Sequence, residues 1–186
     1  MNKKIAFIGT ASCGKSTLTT NVFSALKEKN INAELVDEFI RRDIQINGPM
    51  ETIWEQYRTR IKQKEHEDAI PDNVEYTLVD SGTLTPYFYA CLYAKYENPR
   101  ERIVLQDMYK WLLDDLYLKR YYMIFYVPLL NLNNHSDGTR FQNSEQIKLI
   151  DENMYNFFMK QHRVNNMFYV DGNFEQRKNI VLEKII

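Results

Sequence analysis

No stretch of this chain approaches the roughly 18 consecutive apolar residues that a membrane-crossing helix needs, so no such span is expected. Cysteine is limited to Cys13 and Cys91. A bridge between them would distort the glycine-rich turn around Cys13, so a reducing cytoplasm is expected rather than an oxidising compartment. His66, His135 and His162 are the only histidines, and they stand alone, which leaves no zinc-type spacing. Neither sign of charge is in excess: the net value is −1. That excludes a global basic field for nucleic acid or anionic membranes, although a local patch stays open. The basic start, Met1-Asn2-Lys3-Lys4-Ile5, runs straight into a glycine turn and does not read as a signal peptide.

Against these absences one motif stands out. Gly9-Thr10-Ala11-Ser12-Cys13-Gly14-Lys15-Ser16, followed by Thr17, spells G-x-x-x-x-G-K-S. Lys4–Ile8 ahead of it reads as a buried strand, and Leu18, Val22 and Leu26 behind it share one helix face. Strand, glycine loop and helix together imply a phosphate cradle built from backbone N–H groups at a helix N-terminus. Lys15 would supply a point charge to a nucleoside triphosphate, and Ser16 a hydroxyl to Mg²⁺. Cys13 has two readings, a mildly reactive thiol or a small packing residue.

Further along, strands are expected at Ala33–Asp37, Tyr76–Asp80, Tyr121–Val127 and Asn166–Val170. Helices are expected over about 51–70, from Pro86, over about 101–119, after a cap at Asn143 or Ser144, and after Gly172-Asn173. Leu129–Asn143 lacks periodicity and reads as a long loop of the kind that carries function or is disordered. Alternating strands and helices predict an α/β fold in three layers, a five-stranded parallel sheet with helices on both faces. Ligands then bind beyond the carboxyl ends of the strands.

That rim collects the remaining candidates. Asp80 ends a strand where an acidic residue can hold Mg²⁺; the alternative is a helix cap. Ser81 and Thr83 read either as part of that rim or as plain caps. Asp37 and Glu38, followed by Arg41 and Arg42, offer a carboxylate that can take a proton from an acceptor hydroxyl, with Arg41 one turn on to bind the acceptor; the alternative is a solvated ion pair opening a helix. Arg140, after Asp137-Gly138, has the makings of a lid arginine over a transferring phosphoryl group, or is a surface arginine. Arg58, Arg60, Lys62 and Lys64 do not share one face, and the acids among them argue for a solvated, ion-paired helix. Trp54, Tyr57, Tyr87 and Phe88 could stack on a ring, or pack in the core.

Five landmarks in order carry a family resemblance. They are the loop Gly9–Thr17, Val36-Asp37-Glu38-Phe39-Ile40-Arg41, Val79–Thr85, Asp137-Gly138-Thr139-Arg140, and Val170–Arg177. Over its whole length the chain resembles the P-loop small-molecule kinases related to the ribosylnicotinamide kinase domain of bacterial NAD biosynthesis regulators, with deoxynucleotide kinase-like relatives in bacteriophages. Glu38, Phe39 and Arg41 match the family's Glu-aromatic-x-Arg, and Asp137, Gly138 and Arg140 its Asp-Gly-x-Arg. Two departures are evident: Ser81-Gly82 stands where relatives carry a second acid, and an Asn-rich insert precedes Asp137.

The resemblance implies one kinase domain over 1–186, with a lid at about 128–143, in the cytoplasm of a bacterium or virus-infected cell. The implied reaction passes the γ-phosphoryl of ATP, with Mg²⁺, to a small nucleoside or (deoxy)nucleotide acceptor. Lys15, Glu38 or Asp37, and Arg140 would be catalytic, with Glu38, Arg41, Asp80 and Asp137 at the acceptor. Two alternatives remain at this level: a kinase acting on a base or nucleotide within DNA, and an ATPase or switch working through a protein partner. Oligomeric state is open, a homodimer included.

Overall fold

The computed structural model describes residues 2–129 and 142–186. The lid candidates Asp137 and Arg140 lie outside the described residues. Strand β1 (Lys3–Ile8) leads through the glycine loop into α1 (Lys15–Glu28), then β2 (Ala33–Val36), α2 (Phe39–Asn47) and α3 (Ile53–Asp68). After β3 (Tyr76–Asp80) come α4 (Pro86–Tyr93), α5 (Pro99–Tyr117), β4 (Met123–Tyr126), α6 (Ser144–Tyr155), β5 (Met167–Tyr169) and α7 (Phe174–Ile185). The strands form one parallel sheet in the order β2-β3-β1-β4-β5. The three-layer α/β fold with five parallel strands is therefore as expected.

Period-two alternation sends successive side chains to opposite faces of the sheet. Ile5, Phe7, Leu78 and Phe125 meet Leu18, Val22 and Leu26 of α1 and Val181 and Ile185 of α7. Ala6, Ile8, Val79, Ile124 and Tyr126 face the other way, against Phe88, Leu112, Leu116, Met154 and Phe158. Both faces are covered, which is why the strands read as unbroken apolar runs. Each fully buried Leu, Ile or Phe contributes about 1.5–3 kcal/mol by leaving water.

Local chemistry sets the helix ends. Thr52 and Glu55 form a capping box on α3, Asn143 and Gln146 one on α6, and Asn173 and Gln176 one on α7. Pro86 stands at the start of α4 with Thr85 as its N-cap, so neither Ser81 nor Thr83 caps that helix. Beyond α6 the chain widens into a π-helical turn, Asn156–Gln161, that buries Phe157 and Phe158.

Helix α2 matches the alternative in which the charged cluster opens a helix. Its residues, FIRRDIQIN, bury only Asp43 fully, with Phe39, Ile40 and Ile44 partly buried. The helix stops where Gly48 takes a φ of 86° and its N–H reaches the Ile44 carbonyl at 2.9 Å. On α3 the ion-paired expectation holds for Arg58 with Asp43, Lys62 with Glu65 and Lys64 with Asp68. Arg60 departs from it: it is buried, 2.8 Å from Asp115 and over the Trp111 ring. Its face of α3 packs on α5, which a list of charges does not reveal.

Two adjacent strands bring the rim together. Phe7 of β1 pairs with Asp80 of β3, and the Ser81 N–H donates to the Phe7 carbonyl at 3.0 Å. The glycine loop therefore begins beside Asp80. Backbone packing there is tight: a Cβ on Gly9 would lie 2.4 Å from the Val127 carbonyl oxygen and 2.8 Å from the Cys13 sulfur. We expect Gly9→Ala to lower stability by about 1–3 kcal/mol, seen as a lower urea midpoint at unchanged slope.

Candidate active site

The loop between β1 and α1 carries the backbone geometry a phosphate cradle requires. Ser12 and Gly14 adopt left-handed conformations, with φ of 72° and 86°, and turn the chain so that α1 begins at Lys15. No side chain caps α1, so its first-turn amides and the positive end of its dipole are left for an anion. Thr10, Cys13 and Lys15 are buried, Ala11 is partly so, and Ser12 and Ser16 lie at its rim. Cys13 packs into the core beneath the loop, where burial pushes its thiol up. Of its two readings, the packing one fits.

A residue from the far end of the chain seats the loop. Arg177 of α7, 2% exposed, donates to three backbone carbonyls: Cys13 at 2.9 Å, Pro128 at 3.1 Å and Gly172 at 3.1 Å. Burial pulls its guanidinium below the usual arginine value. Arg177→Ala leaves those carbonyls unpaired and is expected to cost about 2 kcal/mol by chemical denaturation, with weaker MgATP binding by calorimetry. The sequence reading quoted Arg177 within a landmark but gave it no task.

At the mouth of the loop the Lys15 ammonium lies 3.5 Å from Glu38 Oε1, both side chains largely buried. The Ser81 hydroxyl donates to the same Glu38 oxygen. Burial pushes the Glu38 carboxyl up, but Lys15, the Ser81 hydrogen bond and Arg41 together outweigh it and hold the group below its ordinary value. Burial likewise opposes the Lys15 charge, and Glu38 and Asp80 overcome it, so the lysine stays protonated. A carboxylate kept ionised and tethered in this way can accept a proton from a hydroxyl placed next to it. Asp37 is exposed and lines an open groove together with Ser16, Glu38, Arg41 and Asp80. The structure thus brings together Lys15, Glu38, Asp80, Ser16 and Arg41, and Lys15 and Ser81 engage Glu38 rather than the exposed Asp37.

The Ser81 hydroxyl thus holds the Glu38 carboxylate, from a backbone with φ of 69°. Two residues on lies a buried network. The Thr83 N–H donates to the Tyr121 hydroxyl at 2.8 Å, and the Thr83 hydroxyl to Asp115 at 2.7 Å. Tyr121 in turn donates to Glu67 at 3.0 Å, and Arg120 to Glu67 at 2.8 Å.

Asp80 is buried, and its Oδ1 has no hydrogen-bond partner among the described residues. Burial pushes its carboxyl up, to about 6, although Lys15 pulls the other way. A buried carboxylate oxygen without a donor suits a cation, and the Ser16 hydroxyl, 3.4 Å from Arg41 Nη2, lies at the same corner. Mg²⁺ commonly takes one or two protein oxygens and completes its shell with phosphate and water. A donor set this small fits that ion, and among the described residues no cluster of three or more acidic, His or Cys ligands exists.

Beyond Glu38 opens a cleft between the loop, α2, α3 and α4, lined by Ile40, Ile44, Met50, Gln56, Gln63 and Tyr89 among others. Tyr89 was not anticipated. Its hydroxyl accepts the Ala11 N–H at 2.9 Å, and burial pushes its phenol up to about 12, so it stays neutral. The aromatic candidates do not line this cleft: Phe88 is core, Tyr57 packs on Trp111, Tyr87 on Phe88, and Trp54 is half exposed.

The sheet order, the glycine loop and the acid at the tip of β3 define a protein with the fold of the P-loop nucleoside and nucleotide kinases. Residues 4–177 match the family model described as "AAA domain", and the chain belongs to that family. No curated protein matches by sequence comparison. Among solved structures, the chain is similar to the NadR protein in complex with NR, with a TM-score of 0.76 and 17% identity over 99% of this chain and 50% of that one. It thus spans about half the length of NadR. It is also similar to thymidylate kinase from Ehrlichia chaffeensis, with a TM-score of 0.63 and 13% identity over 100% and 99% of the two chains. Deoxyadenosine kinase from M. mycoides with bound dATP gives 0.60 and 18%, over 98% of each. At these identities the likeness is one of fold. Among the described residues no helix is long and apolar enough to cross a membrane.

Proposed function

We propose that this protein transfers the γ-phosphoryl group of ATP to a hydroxyl of a small nucleoside. The observation that carries the reading is Glu38: a buried, ionised carboxylate 3.5 Å from the Lys15 ammonium, at the junction of the loop and the cleft. A hydroxyl must shed a proton to attack phosphorus, and a carboxylate at this junction can take it. A monophosphate acceptor is already anionic and needs no base. It would meet Glu38 as a like charge, and Lys15 and Arg41 are the only cations among the described residues lining the cleft.

In this reading the loop amides and Lys15 hold the phosphates of ATP, and Ser16 and Asp80 would hold Mg²⁺, which would supply charge neutralisation at the phosphates. Arg41 binds the acceptor. Glu38 removes the hydroxyl proton as the oxygen bonds to the γ-phosphorus, the bond to the β–γ bridging oxygen breaks, and ADP leaves. Arg140 is proposed, on the sequence alone, to cover the transferring group from the lid.

The fold shared with nucleoside and nucleotide kinases supports this assignment, as does the family membership. The test is ATP consumption over a panel of nucleosides, nucleoside monophosphates, nicotinamide riboside and short DNA. Stoichiometric phosphorylation of a nucleoside is the expected result. Turnover confined to monophosphates or DNA, or hydrolysis with no acceptor consumed, would overturn it.

A further inference from the structure

Gln63 carries a hydrogen-bonding group that the fold does not use. It is 2% exposed, lies on α3, and lines the cleft. Its Oε1 accepts the Phe39 N–H at 2.9 Å, which fixes the orientation of the carboxamide, since an N–H can pair only with the oxygen end. The Nε2 group is then left buried with no partner among the described residues. Gln56, two helical turns earlier on the same face, differs: its amide nitrogen donates to the Met50 carbonyl at 3.4 Å. An unpaired buried amide costs about 1–3 kcal/mol, so one that lines a ligand cleft calls for an acceptor supplied by the ligand.

We infer that Gln63 is a specificity-determining residue whose amide donates to a second hydroxyl oxygen on the acceptor's sugar. This rests on the nucleoside-kinase reading and deepens it. The amide is pinned to Phe39, the residue after Glu38, which anchors the carboxamide at the part of the chain that carries the proposed base. A ribose offers adjacent hydroxyls; when one is the nucleophile or close to it, a neighbouring oxygen comes within reach of a donor there. Because the free end is an amide, it selects for an oxygen that accepts, and a sugar lacking that oxygen leaves the amide unpaired. Discrimination of this kind, against an analogue that lacks the matched group, is stronger than an apolar pocket achieves.

The experiment compares wild type with Gln63→Glu, which keeps an oxygen for the Phe39 N–H and, when ionised, replaces the donor with a second acceptor and a negative charge; kinetics are run above the pH at which that carboxyl ionises. Gln63→Leu removes both groups, and thermal unfolding of each variant reports on folding. Steady-state kinetics are measured with ribonucleosides and their 2′-deoxy and 3′-deoxy counterparts. Wild type is expected to favour the full ribose over one deoxy counterpart by about tenfold or more in kcat/KM, the worth of one hydrogen bond. In folded Gln63→Glu that ratio is expected to fall close to one, with the KM for ATP unchanged. A wild type indifferent to both hydroxyls, or a Gln63→Glu enzyme that keeps the wild-type ratio, would overturn the assignment while leaving the kinase reading standing. A wild type that binds MgATP and phosphorylates no nucleoside would overturn both.

Discussion

Lys15→Ala is expected to reduce turnover by about 10³-fold or more, below ordinary detection, because the side chain acts twice. It is the point charge for the phosphates, and it is the counter-ion that holds Glu38 ionised in a buried place. With the ammonium gone, burial raises the Glu38 carboxyl, and the base is lost along with the phosphate ligand. Lys15→Arg is not expected to rescue, since a planar fork does not replace a compact ammonium in so tight a loop. Single-turnover transfer and calorimetric MgATP binding, with circular dichroism to verify folding, separate these contributions. A folded Lys15→Ala protein retaining a tenth of wild-type turnover would exclude the loop as the donor site.

Glu38→Gln is expected to lower kcat by about 10²–10⁴-fold, the range for removing a positioned base, with a much smaller change in the KM for ATP. The amide keeps the shape and can still accept from Ser81, so the loss reports on proton removal rather than on packing. Asp37→Asn is the matched control and should stay within about threefold of wild type, in line with surface changes that touch no buried feature. Equal losses in the two variants would mean the base has been assigned to the wrong carboxylate. Loss in neither would point to an acceptor that is already anionic.

The proposed donor half of the site is legible in the sequence because its signal is local. Strand, glycine turn, lysine and helix are contiguous, and each part has a sequence signature of its own. The sheet was legible for a similar reason: Ile5–Ile8 and Leu78–Val79 are buried on both faces and show as apolar runs. What escaped depends on partners far apart in the chain. Choosing Glu38 over Asp37 required knowing that Ser81 and Lys15 converge on it. Ser81 looked like a gap in a family pattern, yet its hydroxyl secures the acid that remains. Tyr89 and Gln63 sit in an apolar helix and a charged helix respectively, and neither sequence neighbourhood shows that both line one cleft. Helix α2 was hard to bound because it is only 9 residues long and its one buried side chain is an acid, Asp43.

The brace between Arg177 and Cys13 spans 164 residues of chain. During synthesis the glycine turn leaves the ribosome well before the guanidinium that locks it, which arrives only as α7 emerges. A nascent chain would therefore carry a complete motif and a slack pocket together, and capture of nucleotide would switch on late, when α7 docks. Loss of α7, by a nick or a premature stop ahead of it, should silence the molecule while leaving the glycine-rich signature untouched.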